Sequence, residues 1–285
     1  MLSKTHVLDT FFCKKLLIEM VHTLSKSILD IERFKKIAPA GYVPSSNLVA
    51  IQYVYSLLKK SHRNEFFFKN TIFNHFVTDD KIKNSTYPSI QNEMPVVASI
   101  TDLIVTEKGK SSEVLEIKSE CDSFDRLASQ LPDYYKVFRK VSLVTGEKLF
   151  KKAKERFGNT DLGLYVIDSN GEFYKEREPV ERYDLLDKRE IFRCLRKPEY
   201  LKILHEHYDR VPTFKESPMT NYNDLCELFC RLDKQTINKH LDEVMAQRFY
   251  RVKDLIKIPK ELRSIYYFGK LTRIERVRVL NFLKK

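Results

Sequence analysis

Residues 113–138 read EVLEIKSECDSFDRLASQLPDYYKVF. This stretch begins as a short apolar strand and continues as a helix. Two charged residues, Glu116 and Lys118, lie inside the predicted strand, although strand interiors disfavour both residue types. Because strand side chains alternate between two faces, Leu115 and Ile117 point into the core and the two charged residues lie side by side on the other face.

The composition indicates a folded, basic protein. The chain has 285 residues, of which 42% are hydrophobic and 32% charged, with only 7 glycines and 10 prolines. This length is enough for one large domain or two smaller ones with a real core. Lys and Arg outnumber Asp and Glu by 51 to 39, which gives a formal net charge of +12. That charge favours an anionic partner, nucleic acid above all, but a merely soluble basic protein explains the charge equally well.

Cysteine spacing and hydropathy favour a cytoplasmic protein without membrane contact. The five cysteines are scattered and lack the paired spacing of a zinc site, so we expect reduced thiols of an intracellular protein. Charged residues interrupt the apolar segment 1–20, which argues against a signal peptide. The longest apolar run, residues 48–58, is too short to span a bilayer.

The periodicity along the chain predicts a mixed α/β fold with helices on the sheet. The predicted elements are helices at 5–37, 47–60 and 62–76, a polar loop at 78–92, strands at 93–106 and 112–118, a helix at 123–138, a strand at 140–146, a helix at 148–157 and a strand at 163–170. The strands at 93–106 and 112–118 should pair as an antiparallel hairpin, with an irregularity near Ala98. Asp122 is expected to cap the helix that follows.

Three regions follow from this order of elements. They are an N-terminal helical region of residues 1–60, an α/β core of residues 61–170 and a basic, mainly helical region of residues 171–285. In the last region, two helices joined by a short turn and a predicted strand at 248–258 give the outline of a winged helix. That outline would expose Thr236, Asn238 and Lys239 for contact with DNA. Any helical bundle yields a similar turn, so the two interpretations stay open.

Asp102 is a third charged residue that can join Glu116 and Lys118 in an active site. Asp102 lies between two isoleucines on the strand that should pair with residues 112–118, so Asp102, Glu116 and Lys118 are expected to converge near a strand end. Two carboxylates hold a hard cation such as Mg²⁺ by oxygen ligands, and the cation activates water and neutralises charge on phosphate. The lysine would orient the nucleophile or stabilise developing charge. On spacing alone, an edge strand with a solvated Glu–Lys pair is the simpler explanation.

The wider pattern resembles a known superfamily. Asp102 followed by Glu116-Ile117-Lys118 resembles the PD-(D/E)XK nuclease motif, and Gln130 with Tyr134 resembles the Gln-x-x-x-Tyr motif of RecB/AddB-type members. Over about residues 50–170 the chain is similar to the "sce"-type putative nuclease family. Further residues that match in order are Arg63, Glu65, Lys69, Asn70, Glu93, Ser119, Glu120, Asp122, Arg126 and Leu127. Departures from the family pattern are Thr101, where proline is usual, and His62 and Phe66, where tyrosine is usual.

The resemblance implies a restriction-endonuclease-like fold and a nuclease that depends on Mg²⁺ or Mn²⁺. It implies that Asp102 and Glu116 hold the metal, that Lys118 supports the water, and that Gln130 and Tyr134 position the site. It also implies that Glu65, on the first helix of the core, completes the metal site. An ordinary ion pair with Lys69 one turn on is the alternative for Glu65.

Three basic residues are candidates for contact with nucleic acid, DNA being the favoured partner: Lys69, Arg126 and Lys239. Phage defence, mobile-element biology and repair are the settings that this class of nuclease suggests, and a homodimer or a partner protein is compatible with it. The alternatives are a catalytically silent module that binds nucleic acid and a DNA-binding regulator that uses the C-terminal region. The intact Asp, Glu and Lys set favours the enzyme.

Overall fold

A six-stranded mixed sheet organises the protein. The computed structural model describes residues 4–22, 27–120, 122–211, 218–252 and 254–285. The strands are β1 (Ser89–Val96), β2 (Ser99–Thr106), β3 (Glu113–Lys118), β4 (Lys140–Gly146), β5 (Gly163–Ile167) and β6 (Phe173–Arg177). They lie in the order of the sequence: β1, β2 and β3 are antiparallel neighbours, β3, β4 and β5 are parallel neighbours, and β6 is antiparallel to β5. The predicted mixed sheet flanked by helices is confirmed.

Helices cover both faces of this sheet. The first seven are α1 (Lys4–Phe11), α2 (Lys14–His22), α3 (Glu32–Ile37), α4 (Asn47–Ser61), α5 (Glu65–Phe76), α6 (Asp79–Asn84) and α7 (Leu127–Val137). The others are α8 (Glu147–Phe157), α9 (Lys188–Cys194), α10 (Lys197–His207), α11 (Pro218–Cys230), α12 (Lys234–Gln247), α13 (Arg263–Phe268) and α14 (Arg273–Leu283). Among the described residues, none of these helices combines the length and apolarity needed to cross a membrane.

Two hydrophobic cores form, one on each face of the sheet. The first contains Leu103, Leu115 and Ile117 of the strands and buried side chains from helices at both ends of the chain, α1 to α5 and α13 to α14. The second contains Ile104 and Val114 of the same strands and buried side chains from α7, α8 and the helices α9 to α12. This alternation along β2 and β3 is what the apolar pattern of the strands predicts.

The predicted hairpin is confirmed, with one more strand than expected. Leu103 on β2 pairs with Leu115 on β3 in an antiparallel ladder. The predicted strand at 93–106 is in fact most of a second hairpin, because β1 turns back into β2 at Val97 and Ala98, where the irregularity was expected. The predicted polar loop at 78–92 contains α6 and the first residues of β1. Because both segments are rich in polar side chains, the sequence pattern indicated neither element.

Two predictions about the C-terminal region are wrong. The stretch 248–258 contains no strand within its described residues; it forms a loop and a short 3-10 helix, Leu255–Lys257. Val252, Leu255 and Ile258 are its buried residues, a spacing of three that suits a 3-10 turn and not a strand. Asn238 is buried and bonds to Asp242 instead of facing solvent, so the winged-helix outline lacks both its strand and one of its exposed residues.

Three further elements differ from expectation. The predicted helix at 5–37 is divided into α1, α2 and α3 within its described residues. The helix after β3 begins at Leu127, and Asp122 does not cap it: its carboxylate accepts bonds from the main-chain N–H and hydroxyl of Ser119. Strand β6 is an exposed edge rich in charged residues, and its pairing with β5, not its side chains, makes it a strand.

Candidate active site

The site lies where β2 and β3 separate. The main-chain ladder between these strands ends at Leu103 and Leu115, and the register places Asp102 opposite Glu116 at the next position. There Asp102 Oδ2 accepts a hydrogen bond of 2.7 Å from the main-chain N–H of Ile117. The Asp102 carboxylate therefore replaces a main-chain carbonyl as the acceptor for this N–H group, and the hydrogen bond fixes the carboxylate beside Glu116.

Glu116 is held on both of its oxygens. Its side chain is only 2% exposed. Oε1 accepts a bond of 2.6 Å from Lys118 Nζ, and Oε2 lies 2.8 Å from the hydroxyl of Tyr134 on α7. That hydroxyl is also 2.8 Å from the carbonyl oxygen of Ile100 and accepts a bond of 3.1 Å from Gln130 Nε2. The structure thus brings together Glu116, Lys118, Gln130 and Tyr134 as the sequence predicted.

Helix α5 brings two more predicted residues to the site. The Asn64 side chain accepts a bond from the main-chain N–H of Phe67 and so caps α5, which begins at Glu65. Glu65 forms the ion pair with Lys69, 2.6 Å between Oε1 and Nζ, that the sequence offered as the alternative. Lys69 Nζ also lies 3.4 Å from Glu93 on β1. The pair is nevertheless part of the site, because both of its charges act on Asp102.

The carboxylates oppose one another. Burial, then the Glu116 carboxylate, raises the pKa of Asp102 to about 7, and Glu65 adds to the rise. The Ile117 N–H and the Lys69 ammonium act in the other direction. Burial by itself lowers the pKa of Lys69, but the Glu65 carboxylate, with Asp102 and Glu93, makes the net shift upward. The site therefore holds a tight cluster of negative charge that its lysines only partly balance.

Tyr134 remains a hydrogen-bond donor at any ordinary pH. Burial, followed by the nearby Glu116 carboxylate, raises the pKa of its hydroxyl well above the usual value. The hydroxyl therefore keeps its proton and shares it between Glu116 and the carbonyl of Ile100, while Gln130 bonds to the oxygen. Together these contacts fix the orientation of the Glu116 carboxylate.

The donor chemistry of the cluster suits a hard divalent cation. Asp102, Glu116 and Glu65 offer carboxylate oxygens, which are the ligands that Mg²⁺ prefers. Burial first, and then the charge of Glu116, raises the pKa of Asp102, and a bound cation would stabilise its ionised form. Among the described residues, no group of three or more His, Cys, Asp or Glu side chains is placed so that it could hold a metal ion. Lys118 and Lys69 hold the carboxylates instead, so a cation would have to displace or share these contacts.

The two remaining candidates for contact with nucleic acid lie in different places. Arg126 is exposed at the start of α7, and its charge acts on Tyr134, which puts it at the margin of the site. Lys239 on α12 lines a separate cleft with Thr106 and Ser111. Thr106 is four residues along β2 from Asp102, on the order of 13 Å at the usual strand rise. The structure does not bring Lys239 to the site.

A buried arginine supports the site in a way that sequence reasoning missed. Arg63 donates to the carbonyl oxygens of Ile167 and Asp168, 2.7 Å each, at the end of β5. Its Nε lies 3.5 Å from Glu120, the second residue after β3. These contacts join the start of α5 to two strands. Arg63 and Glu120 both match the pattern of the nuclease family that the sequence resembles. Each lies in a segment that carries site residues. An arginine in one such segment and a glutamate in the other were the signal that could have revealed this pair.

Asn70 has a structural role in joining α5 to the C-terminal region. It is fully buried, and its amide nitrogen donates to Tyr55 and to the carbonyl of Lys260. Its side-chain oxygen accepts from the main-chain N–H of Ser264. The residue therefore ties α5 to the C-terminal region and is neither solvated nor free to contact phosphate.

A cleft of about 600 Å³ opens beside Glu65 and Lys69, and Asp102, Glu116 and Lys118 do not line it. Its polar wall includes Glu65, Lys69, Glu93, Ser119 and Asp122, and its apolar wall includes Phe12, Leu17, Phe66, Ile265 and Phe268. The cleft lies between α5, the N-terminal helices and α13.

Comparison with known proteins places the chain in a family. A family model described as bacteriophage P4 protein cII matches residues 59–261, and the chain belongs to this family. No curated protein matches the sequence. A solved structure of the SPO1766 protein of unknown function from Silicibacter pomeroyi is similar at 11% sequence identity, over 47% of this chain and 89% of that one, with a TM-score of 0.30.

Proposed function

We propose that this protein is a metal-dependent nuclease of the PD-(D/E)XK superfamily that hydrolyses phosphodiester bonds of nucleic acid. DNA is the favoured substrate. The observation that carries the proposal is the position of the Asp102 carboxylate, which is bonded to Ile117 in the gap between β2 and β3 and lies opposite Glu116. Two opposed carboxylates with a lysine paired to one of them suit chemistry on an anionic phosphate. The net charge of +12 supports an anionic substrate.

Each residue has a role in this proposal. Asp102 and Glu116, with Glu65 beside them, would hold Mg²⁺ or Mn²⁺, which supplies an activated water and neutralises charge on phosphate. Lys118, 2.6 Å from Glu116, orients the nucleophile or stabilises the developing charge. Tyr134 keeps the Glu116 carboxylate in one orientation, and Gln130 fixes Tyr134. Lys69 and Arg126 bind substrate phosphate at the α5 and α7 sides.

The setting is part of the same proposal. The family that matches this chain bears the name of a bacteriophage protein. A nuclease of this kind fits mobile-element biology best, and phage defence and repair use the same chemistry. A homodimer or a partner protein that directs cleavage is compatible with the site, because the cleft is open on one side.

The test is a cleavage assay with purified protein. Wild type, Asp102→Asn and Lys118→Met are incubated with supercoiled plasmid, linear duplex, single-stranded DNA and RNA, in Mg²⁺, in Mn²⁺ and in EDTA. Wild type should cut at least one substrate only when the metal is present, and both variants should lose at least a hundredfold in rate. Asp224→Asn, an exposed aspartate on α11, is the matched control and should cut like wild type.

The result that overturns the proposal is binding without cleavage. If wild type cuts none of the four substrates yet binds nucleic acid equally in metal and in EDTA, the protein is a silent binding module. If an isolated fragment of residues 171–285 alone binds one DNA sequence, the regulator interpretation gains support. Thermal unfolding of every variant distinguishes a lost function from a lost fold.

A further inference from the structure

The hairpin of β1 and β2 carries three exposed apolar side chains at its tip. We define the hairpin tip as residues 95–100. Within it Pro95 is exposed, Val97 is 41% exposed and Ile100 is 57% exposed. The tip ends at Ile100, two residues before Asp102 on β2, so these apolar groups border the proposed active site.

The orientation of the tip follows from its pairing. Val96 is fully buried in the second core, and Met94 packs against the same core. Side chains alternate along a strand, so Pro95 points to the opposite side. Pro95 pairs directly with Ile100, which places both side chains on that side of the hairpin.

The tip is held rigidly. Asp133 on α7 accepts bonds from the main-chain N–H of Ala98 and from the Ser99 hydroxyl, at 3.3 and 2.9 Å. Val97 has a φ of 58°, in the left-handed region that a β-branched residue rarely adopts. The carbonyl of Ile100 contacts the same Tyr134 hydroxyl that holds Glu116. The apolar tip is therefore coupled to the site through one side chain.

We propose that the hairpin tip is an apolar wedge that inserts between stacked bases of the nucleic acid beside the cleaved phosphate. This inference rests on the proposed nuclease function. Proline and isoleucine are among the side chains that open base steps, and insertion would cover surface that is otherwise exposed. A rigid tip is required, because a flexible loop would yield to the stack. The preferred substrate is nucleic acid whose bases are already weakly stacked, at a mismatch, a frayed end or a junction with a single strand.

Binding without cleavage tests the wedge. Wild-type protein in EDTA is titrated into DNA duplexes that carry 2-aminopurine, whose fluorescence rises when the base unstacks, with and without a mismatch beside the probe. We expect a rise of at least twofold and an affinity for the mismatched duplex about tenfold higher than for the paired one. Ile100→Ser should abolish most of the rise. Asp133→Ala keeps the apolar side chains but frees the tip, and should reduce the rise as well.

Controls separate this inference from the proposed function. Ile274→Ser removes an isoleucine that is 67% exposed on α14, and it should behave like wild type. Unchanged fluorescence on binding of wild type, or equal effects of Ile100→Ser and Ile274→Ser, would overturn the wedge and leave the tip as a surface for a protein partner. Metal-dependent cleavage in the separate assay would then still support the nuclease. Unstacking in EDTA without cleavage in metal would support the wedge alone.

Discussion

The Asp102 carboxylate accepts its hydrogen bond from the main-chain N–H of Ile117, one position beyond the last main-chain pair between β2 and β3. A side chain thus replaces the ladder where the strands separate. The bond fixes the carboxylate opposite Glu116, and the two acids repel each other. The cluster of negative charge therefore forms because β2 and β3 separate at this position and leave the Ile117 N–H for the Asp102 carboxylate.

The first prediction concerns stability and pH in EDTA. The pKa of Asp102 is about 7 in the folded protein against an ordinary value of 3.8, so between these values the folded state binds more protons than the unfolded state. The free energy of unfolding of wild type should therefore fall as pH rises from about 4 to about 7. Asp102→Asn removes that loss. At about 1.4 kcal/mol per pKa unit, the variant should be more stable than wild type by up to a few kcal/mol above pH 7.

Thermal unfolding from pH 5 to pH 8.5 measures this difference. The advantage of Asp102→Asn should shrink as the pH falls towards 4, because wild-type Asp102 is then protonated. Asp224→Asn should follow wild type at every pH. Parallel curves for wild type and Asp102→Asn would show that Asp102 is not held at a raised pKa.

The second prediction concerns the Glu116–Lys118 pair. Lys118→Met leaves the buried Glu116 carboxylate without its cation, and breaking a buried pair in this way costs about 3–5 kcal/mol. The double variant Glu116→Gln with Lys118→Met has no buried charge to leave unpaired, and should recover a large part of that loss. Neither Lys118→Met nor the double variant should cleave nucleic acid. Urea unfolding of wild type, Glu116→Gln, Lys118→Met and the double variant gives the free energies of this double-mutant cycle.

A matched lysine supplies the control for this cycle. Lys148 pairs with Glu120 at 2.7 Å, but its side chain is 76% exposed. Lys148→Met should change the free energy of unfolding by less than about 1 kcal/mol. If Lys118→Met were equally mild, the Glu116 pair would contribute no more than a surface contact.

The third prediction separates the Tyr134 hydroxyl from its ring. Tyr134→Phe removes the hydroxyl that meets Glu116, Ile100 and Gln130, so unfolding should become easier by about 1–3 kcal/mol. Cleavage should slow at least tenfold, because Glu116 loses its orientation, while affinity for nucleic acid in EDTA stays within twofold of wild type. Tyr135→Phe is the control, since the buried Tyr135 hydroxyl has no hydrogen-bond partner among the described residues. Equal effects of the two substitutions would rule out an orienting role for Tyr134.

Sequence reasoning located the site residues better than it located the elements around them. The strand with Glu116 and Lys118 is a short segment rich in apolar residues whose four central residues are all buried, so its bounds were predictable. The contact of Asp102 with Ile117 was not, because it depends on where two strands separate and no local pattern encodes that point. Strand β1 begins with Ser89 in a polar stretch, and only its pairing with β2 defines it.

Long-range polar contacts were equally invisible in the sequence. Lys239 is positively charged and was predicted to be exposed for contact with DNA. However, α12 packs on the second core and places Lys239 in another cleft. Lys69 was predicted to contact nucleic acid, yet its side chain is only 12% exposed and it meets Glu65 and Glu93. Charge can be counted from a sequence, whereas its position depends on which helix face the core takes.

The last prediction concerns Arg63, whose guanidinium joins three segments. It donates to the carbonyls of Ile167 and Asp168 and lies beside Glu120, and a lysine cannot make these contacts at once because it lacks the planar fork. Arg63→Lys should therefore lower the free energy of unfolding by about 2–4 kcal/mol through buried carbonyls that lose their donors. It should also slow cleavage, because α5 carries Glu65 and Lys69. Arg193→Lys, at a side chain that is 61% exposed, should do neither. Wild-type stability in Arg63→Lys would mean that α5 is positioned by its apolar packing alone.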